Sequence, residues 1–269
     1  MEIAGYIAAL LIGISLGMIG GGGSILTVPV LVYLMNVNPL LATTYSLFIV
    51  GSSSLTGGIR AYTKDQVDFK AITEFGFPSI FSVFIARHYL LPLIPSHIFN
   101  AGHFELTRDR LLMLVFSLLM FVTSFLIITD KTNDLKEELI KAVRHNKSFE
   151  LALAGLVVGL ITGILGAGGG FLIVPILVLY IRLPMKTAVG TSLMIIAINS
   201  LFGFLFSLKQ FSFDWKILII FSVISIAGIF IGSRLAQKFS GAALKKIFGW
   251  FILIVAIGIL LRELIFTPQ

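Results

Sequence analysis

The sequence contains no cysteine and few charged residues. None of its 269 residues is a cysteine, which excludes disulfide bonds, thiolate metal sites, iron–sulfur clusters and a cysteine nucleophile. Charged residues make up 12% of the chain, about half the share typical of soluble domains. Hydrophobic residues make up 57%, and no polar stretch is long enough to fold as a soluble domain. The composition therefore predicts a helical membrane protein with several spans.

The sequence repeats itself with an offset of 146 residues. The segment GMIGGGGSILTVPV at 17–30 recurs as GILGAGGGFLIVPI at 163–176, and the alignment runs without a gap from Gly13 to Lys70 with 19 identities over 58 positions. Apolar composition alone would not align glycine, proline, aspartate and lysine together. The predicted domains are a first transmembrane repeat at 1–129, a charged cytoplasmic linker at 130–148 and a second transmembrane repeat at 149–269.

Apolar segments fill both repeats. Spanning a membrane takes about 20 apolar residues. The predicted segments are 3–35, 40–59, 71–86 and 111–129 in the first repeat, and 149–181, 187–208, 217–233 and 247–266 in the second. No charged residue falls firmly inside a segment. Arg87, His88 and Arg234 lie at segment ends, where we expect long side chains to reach toward the membrane surface.

The lysine and arginine positions predict how the segments cross. If 3–35 and 149–181 each cross once, the two faces hold 9 and 11 of these residues. If each enters and returns as a hairpin, one face holds 14 and the other 6. Because positive residues favour the cytoplasmic face, the hairpins are predicted. The predicted fold is an all-α membrane protein of two inverted repeats, each with a glycine-broken helical hairpin plus three transmembrane helices.

The glycine runs break the first segment of each repeat. Glycine supplies the positive φ angles that a reversing backbone needs. We expect the next helix to begin near Gly23 or Ser24, and near Gly169 or Gly170 in the second repeat. The first N–H groups of such a helix have no partner inside it and carry partial positive charge. If these N–H groups are buried halfway through the membrane, they need a negatively charged ligand, so we predict an anion site here.

Close helix packing is the alternative reading of these glycines. It suits Gly13 and Gly17, and Gly159 and Gly163, better than it suits the runs GGGG and AGGG. A nucleotide phosphate loop is excluded, since its GK[ST] ending and its βαβ setting are absent.

Two prolines leave the helix starts open. If the helices begin at the glycines, Pro29 and Pro175 lie in their second turn and remove a hydrogen bond. If they begin near Val28 and Val174, each proline takes the first helical position, where it is tolerated.

Hydroxyl and amide side chains in the second segment of each repeat complete the predicted site. Ser46 and Ser53 are seven residues apart on one helix face, and Ser192 and Asn199 repeat that spacing. The alternative is that serine and threonine hydroxyls bond to their own helix. The predicted substrate-binding residues are Gly21, Gly22, Gly23, Ser24, Ser46, Ser53, Ala167, Gly168, Gly169, Gly170, Ser192 and Asn199. We predict no catalytic residue, no metal ligand and no cofactor.

Other polar residues are predicted to be structural. Asp68 and Asp214 precede apolar segments and are expected to cap helices rather than bind substrate. His88, His97 and His103 lie near Glu105 in the stretch 87–110, but their spacing matches no zinc signature.

The motifs GMIGGGGSILTVPVL and GILGAGGGFLIVPIL, each followed by A-x-x-x-S-L, resemble the sulfite exporter TauE/SafE family of membrane permeases. The resemblance spans both repeats. It implies transport of sulfur-containing anions such as sulfite, thiosulfate or an organosulfonate. The residues by themselves predict only a small anion.

The expected function is a secondary transporter, or permease, that works by alternating access in the cell membrane, as a multi-pass protein of a prokaryotic inner membrane. The expected partners are a small anionic substrate and the lipid bilayer. Nucleic acid is not expected despite the net charge of +7, because the cations lie in short loops. The alternatives are an anion channel, a carrier of a non-sulfur organic anion, a membrane enzyme and a non-transporting assembly factor. The favoured anion, the direction, the coupling ion and the oligomeric state are left open.

Overall fold

The computed structural model describes residues 2–101, 104–129, 147–179, 181–208, 212–236 and 241–265. The linker predicted at 130–148 lies outside these residues apart from Lys147 and Ser148. The helices are α1 (Glu2–Ile19), a 3-10 helix (Gly21–Leu26), α2 (Thr27–Tyr33), α3 (Pro39–Tyr62), α4 (Phe69–Leu93), α5 (Arg108–Ile128), α6 (Lys147–Leu165), α7 (Gly170–Leu179), α8 (Met185–Ser207), α9 (Trp215–Leu235) and α10 (Gly241–Ile265).

Four of these helices, α4, α6, α8 and α9, are long and apolar enough to cross a membrane. Helix α3 has 24 residues, which at about 1.5 Å per residue exceeds the thickness of about 30 Å of a bilayer core. Its serine and threonine residues lower its hydropathy, and most of them are buried inside the protein. Large apolar side chains such as Leu118, Val223 and Ile254 are exposed on the outside of the bundle. Lipid is the solvent that suits such a surface.

Polar caps fix where several helices begin. Asp68 Oδ1 accepts from the Ala71 amide at 2.9 Å, and Asp214 Oδ1 accepts from the Lys216 amide at 2.9 Å. Both side chains are therefore helix caps, as predicted. Asn38 Oδ1 accepts from the Leu40 amide at 3.0 Å at the start of α3.

The first apolar stretch of each half is broken, as the glycine runs predict. Helix α1 ends at Ile19, and the chain reverses, because Gly5 near its start lies against Met35 just beyond α2. A Cβ on Gly5 would lie 2.3 Å from Met35 Sδ. In the second half α6 ends at Leu165 and α7 begins at Gly170.

The contacts between the two halves recur with the repeat offset. Gly13 of α1 packs on the backbone of Ser225 in α9, and the equivalent Gly159 of α6 packs on Ser79 in α4. A Cβ would lie 2.0 Å from Ser225 O in the first contact and 2.3 Å from Ser79 O in the second. Gly13 and Gly159 are 146 residues apart, and so are Ser79 and Ser225, so the two contacts are equivalent under the repeat. Close packing thus accounts for these two glycines.

Helices α3 and α8 occupy equivalent places in the two halves and pack on one another in opposite directions. Gly58 of α3 contacts Met194 of α8, and the tilted rings of Phe48 of α3 and Phe204 of α8 have centroids 4.9 Å apart. Later residues of α3 therefore contact earlier residues of α8, so the two helices are antiparallel.

A two-stranded antiparallel sheet follows α4 and was not predicted. Helix α4 continues to Leu93, seven residues beyond its predicted end, and strands β1 (His97–Ala101) and β2 (Phe104–Thr107) come next. Arg110 ties this hairpin to α10, since its Nη1 donates to Glu105 O at 3.0 Å and its Nε donates to Glu263 O at 2.8 Å.

Candidate functional site

The two glycine-rich breaks meet inside the protein. A Cβ added to Gly21 would lie 1.8 Å from the Cα of Gly170, and one added to Gly170 would lie 1.9 Å from the Cα of Gly21. No real side chain is tolerated at such distances, so the two backbones touch. Ile196 of α8 covers both, with its Cδ1 2.7 Å and 2.5 Å from the same two Cβ positions.

Positive φ angles occur at both breaks. Gly20 has φ +81° before the 3-10 helix, and Gly166, Gly168 and Gly169 have φ +68°, +66° and +75°. The glycine at position 20 makes the turn of the first break. The three glycines that follow it wind into the 3-10 helix instead, which a sequence pattern of four glycines does not reveal.

The helix starts differ between the halves. Helix α7 begins at Gly170, as predicted, whereas α2 begins at Thr27, later than the predicted Gly23 or Ser24. Pro29 is therefore the third residue of α2, and the helical backbone of Gly21–Leu26 precedes it without a break. Pro175 lies inside α7 and removes one of its hydrogen bonds. The first alternative therefore holds in the second half, whereas neither proline takes the first helical position.

Backbone amides of the second break have no backbone acceptor. In the part of the chain that the structure describes, the N–H groups of Ala167, Gly168 and Gly169 donate to no backbone carbonyl. All three residues are buried. Such amides need an acceptor when they are removed from water. An anion with several oxygens supplies one.

Several buried hydroxyls of α3 and α8 also lack partners among the described residues. The Oγ atoms of Ser46, Ser53, Ser54 and Ser200 make no hydrogen bond among the described residues, and all four side chains have 0% exposure. Ser200 Oγ lies 3.2 Å from the Cβ position of Gly168. These four hydroxyls do not bond to their own helices, so they are available to a ligand.

The remaining predicted side chains are already hydrogen-bonded. Ser192 Oγ donates to Val189 O in its own helix at 2.8 Å, although it also lies 3.2 Å from the Cβ position of Gly20. Ser24 Oγ donates to Gly21 O at 2.7 Å. These two serine hydroxyls therefore bond to their own helices, which was the alternative to a role in substrate binding.

Asn199 links two helices. Its Nδ2 donates to Ser79 Oγ of α4 at 2.6 Å, while its Oδ1 has no partner among the described residues. Its side chain is 2% exposed. Its Oδ1 is an acceptor and does not suit an anion, but Nδ2 carries a second N–H donor.

The expectation for Arg87 is wrong. Predicted to lie at a segment end, it lies inside α4 and is fully buried. Its Nη1 donates to Thr43 Oγ1 at 3.2 Å and to Thr44 Oγ1 at 3.1 Å. The apolar segment continues beyond Arg87 to Leu93, so the charge cannot reach the membrane surface by extending its side chain. Arg234, by contrast, is exposed at the end of α9, as predicted.

The histidines of 87–110 do not form a cluster among the described residues. His88 stacks on Phe84 within α4, with ring centroids 5.2 Å apart, whereas His97 lies in β1. No group of three or more histidine, cysteine, aspartate or glutamate side chains that could hold a metal ion occurs in the described part. His103 lies outside it.

Comparison with known proteins identifies the family. The family model for the sulfite exporter TauE/SafE matches residues 6–259, nearly the whole chain. The chain belongs to the sulfite exporter TauE/SafE family. It is 29% identical over 256 residues to a "Probable membrane transporter protein" of Xylella fastidiosa, with 94% of this chain and 92% of that protein covered. It is 25% identical over 246 residues to the "Probable membrane transporter protein YunE" of Bacillus subtilis, with 85% and 83% covered. No solved structure matches it. This TauE/SafE protein is therefore a membrane transporter.

Proposed function

We propose that this TauE/SafE protein is a secondary transporter that carries a small sulfur-containing anion, such as sulfite, thiosulfate or an organosulfonate, by alternating access. The anion binds where the two glycine breaks meet. One observation carries the proposal: the breaks touch at Gly21 and Gly170, and among the described residues the second break holds buried amides without a backbone acceptor and the unpartnered hydroxyl of Ser200.

The donors of this site suit a weakly hydrated oxyanion. The amides of Ala167, Gly168 and Gly169 and the hydroxyl of Ser200 are neutral donors. A sulfonate spreads its charge over three oxygens and sheds water more readily than a carboxylate. Several neutral donors at short range then replace its hydration without the expense of burying a further charge.

The packing supports two inverted repeats. Equivalent helices α3 and α8 run in opposite directions where they touch. The amide of Asp68 donates to Thr191 Oγ1 at 2.9 Å, and the equivalent amide of Asp214 donates to the Tyr45 hydroxyl at 2.6 Å. Repeats related in this way place their broken helices at the centre of the membrane. Exchange of the two repeat conformations then opens the site to each side in turn.

Counterflow in liposomes tests the proposal. Purified protein is reconstituted into liposomes loaded with unlabelled thiosulfate, and uptake of radiolabelled thiosulfate is measured; sulfite, sulfoacetate and acetate are compared as internal anions. We expect saturable uptake that internal thiosulfate or another sulfur anion stimulates. Uptake stimulated only by acetate would assign a non-sulfur carrier, and ohmic single-channel currents would assign a channel. Either result refutes the proposal.

A pair of glycine variants locates the site. Gly168→Leu inserts a side chain at φ +66° with its Cβ 2.7 Å from Val50 Cγ1, whereas Gly258→Leu places one where nothing lies within 4 Å. We expect the first variant to lose stimulated uptake and the second to keep it. Equal uptake by both variants would show that the break is not the site.

A further inference from the structure

Two pairs of polar side chains lie at equivalent places in the two halves, but only one pair is hydrogen-bonded. Asn199 of α8 donates through Nδ2 to Ser79 Oγ of α4 at 2.6 Å. The residues 146 positions away are Ser53 of α3 and Ser225 of α9. Their Oγ atoms have no hydrogen-bond partner among the described residues, and both side chains have 0% exposure. An amide in one half therefore corresponds to a serine hydroxyl in the other.

The contacts one helical turn further along show that the two serines face each other as the bonded pair does. The Cβ position of Gly203 in α8 lies 3.0 Å from Val83 Cγ1 of α4, and that of Gly57 in α3 lies 3.6 Å from Ile229 Cγ2 of α9. Each of these residues follows by four positions a member of the polar pairs, so the two helix pairs pack in the same register. Because a serine side chain is shorter than that of asparagine, a ligand of about the size of the amide group can bridge the two hydroxyls.

The serine pair lies at the middle of the contact between α3 and α8. Gly51 of α3 lies against Leu201 of α8, and Gly58 lies against Met194. Ser53 is therefore level with its own repeat equivalent. In the inverted arrangement proposed above, this level is the middle of the membrane, where transporters hold coupling ions as well as substrates.

The second break is one helical turn away. Val50, three residues before Ser53 in α3, lies against Gly168, with its Cγ1 2.7 Å from the Cβ position of the glycine. Three residues of helix rise about 4.5 Å. A charged ligand at Ser53 is therefore near enough to an anion at Gly168 for their charges to interact strongly in a medium of low dielectric.

The bonded pair indicates what the serine pair binds. Ser79 Oγ accepts from an amide N–H, so the group that takes the equivalent place at Ser225 Oγ should also present positive charge. Na⁺ does so, and it binds neutral oxygen ligands in other transporters. Neither α3 nor α9 contains an acidic residue, so the negative charge that balances the ion must come from the transported anion.

We propose that Ser53 and Ser225 bind a Na⁺ ion that is carried together with the anion. This inference rests on the function proposed above and names its coupling ion. Each ion neutralises the other, so binding of one favours binding of the other to the same degree. The amide of Asn199 fills the equivalent place in the second half.

Uptake driven by a sodium gradient tests the site. Uptake of radiolabelled thiosulfate into liposomes is measured with an inward gradient of NaCl or of KCl for wild type, Ser53→Asn, Ser225→Ala and the control Ser117→Ala. Ser117 is equally buried, but its Oγ donates to Leu114 O of its own helix at 2.8 Å. We expect Na⁺ to raise the initial rate of wild type and of the control about fivefold or more over K⁺.

The two site variants should differ from each other in this assay. Ser225→Ala should need about tenfold more Na⁺ for the same rate, a loss typical of one bond to a charged group. Ser53→Asn should take up thiosulfate at the same rate in both salts, because its amide takes the place of the ion.

Thermal unfolding in detergent gives a readout that does not depend on transport. We expect the Tm of wild type with thiosulfate to be higher in NaCl than in KCl, and we expect Ser53→Asn and Ser225→Ala to lose this difference. The new amide of Ser53→Asn can donate to Ser225 Oγ, so its Tm in KCl should rise by about 2–4 °C.

Equal uptake rates in Na⁺ and K⁺ for wild type overturn the inference and leave a bridging water as the ligand of the two hydroxyls. A Na⁺ effect that persists in both Ser53→Asn and Ser225→Ala also overturns it, because the ion then binds elsewhere. Absence of thiosulfate counterflow in wild type refutes the transport proposal instead, and the Tm values in the two salts then decide whether the serine pair binds Na⁺.

Discussion

The close packing of α1 on α9 and of α6 on α4 predicts opposite effects of the same substitution at different glycines. In Gly13→Ala the new Cβ lies 2.0 Å from Ser225 O, and in Gly159→Ala it lies 2.3 Å from Ser79 O. The neighbours are helix backbone and cannot rotate away. Both helix pairs must separate by about 1 Å before the contact reaches ordinary van der Waals distance.

Separation of the helices loosens every contact along each interface. Overpacking of this kind costs about 1–3 kcal/mol. In Gly258→Ala the Cβ meets nothing within 4 Å, so the substitution only removes the helix penalty of glycine, worth about 1 kcal/mol. The two kinds of variant should therefore differ by about 2–4 kcal/mol of unfolding free energy.

Thermal unfolding of detergent-purified protein measures this difference. For a chain of this size 1 kcal/mol corresponds to about 2–4 °C in Tm. We expect Gly13→Ala and Gly159→Ala to lower the Tm by several degrees and by similar amounts, and Gly258→Ala to leave it unchanged or raise it. Equal Tm values for all three variants would refute the close contacts, and a loss in only one of the first two would refute their equivalence.

Three further predictions concern single hydrogen-bonding groups. Ser54→Ala and Ser200→Ala remove buried hydroxyls without protein partners, so we expect Tm values close to wild type but a KM in the counterflow assay raised about 2- to 10-fold; unchanged KM would remove both from the site. Tyr33→Phe removes a bond to Glu263 Oε1 of 2.8 Å that ties α2 to α10, and a loss of about 1 kcal/mol should appear in thermal unfolding, with a wild-type Tm counting against the link. Asp214→Ala removes the cap of α9 and should cost about 0.5–2 kcal/mol in the same assay, whereas Asp214→Asn should retain most of the stability.

The sequence predicts the breaks because their cause is local. A glycine run disfavours helix wherever it occurs, and the structure ends α1 at Ile19 and α6 at Leu165. The caps at Asp68 and Asp214 follow from the same local chemistry. Ser54 and Ser200 are identical residues at equivalent positions of the two repeats. Only the structure shows that both hydroxyls are buried without a partner among the described residues, unlike serines that bond to their own helix.

Features that depend on distant residues were not predictable from one sequence. Arg87 looked like the end of an apolar segment, and its burial depends on hydroxyls 44 and 43 positions earlier in the chain. The strands His97–Ala101 and Phe104–Thr107 are short, and their pairing is held by contacts of Arg110 with α10. The contact of Gly21 with Gly170 depends on the packing of the two halves and has no signature in either half alone.

The position equivalent to Arg87 in the second repeat is Ser233, yet an arginine reaches this place too. Arg60 at the end of α3 donates to Ser233 Oγ at 2.5 Å, and Ser233 N lies 3.0 Å from the Cβ position of Gly17, next to the first break. Each break thus has an arginine nearby, although the two residues are not related by the repeat. Arg60→Met removes the hydrogen bond between α3 and α9, so we expect thermal unfolding to show a loss of about 1–2 kcal/mol. A wild-type Tm would count against this link between the two halves.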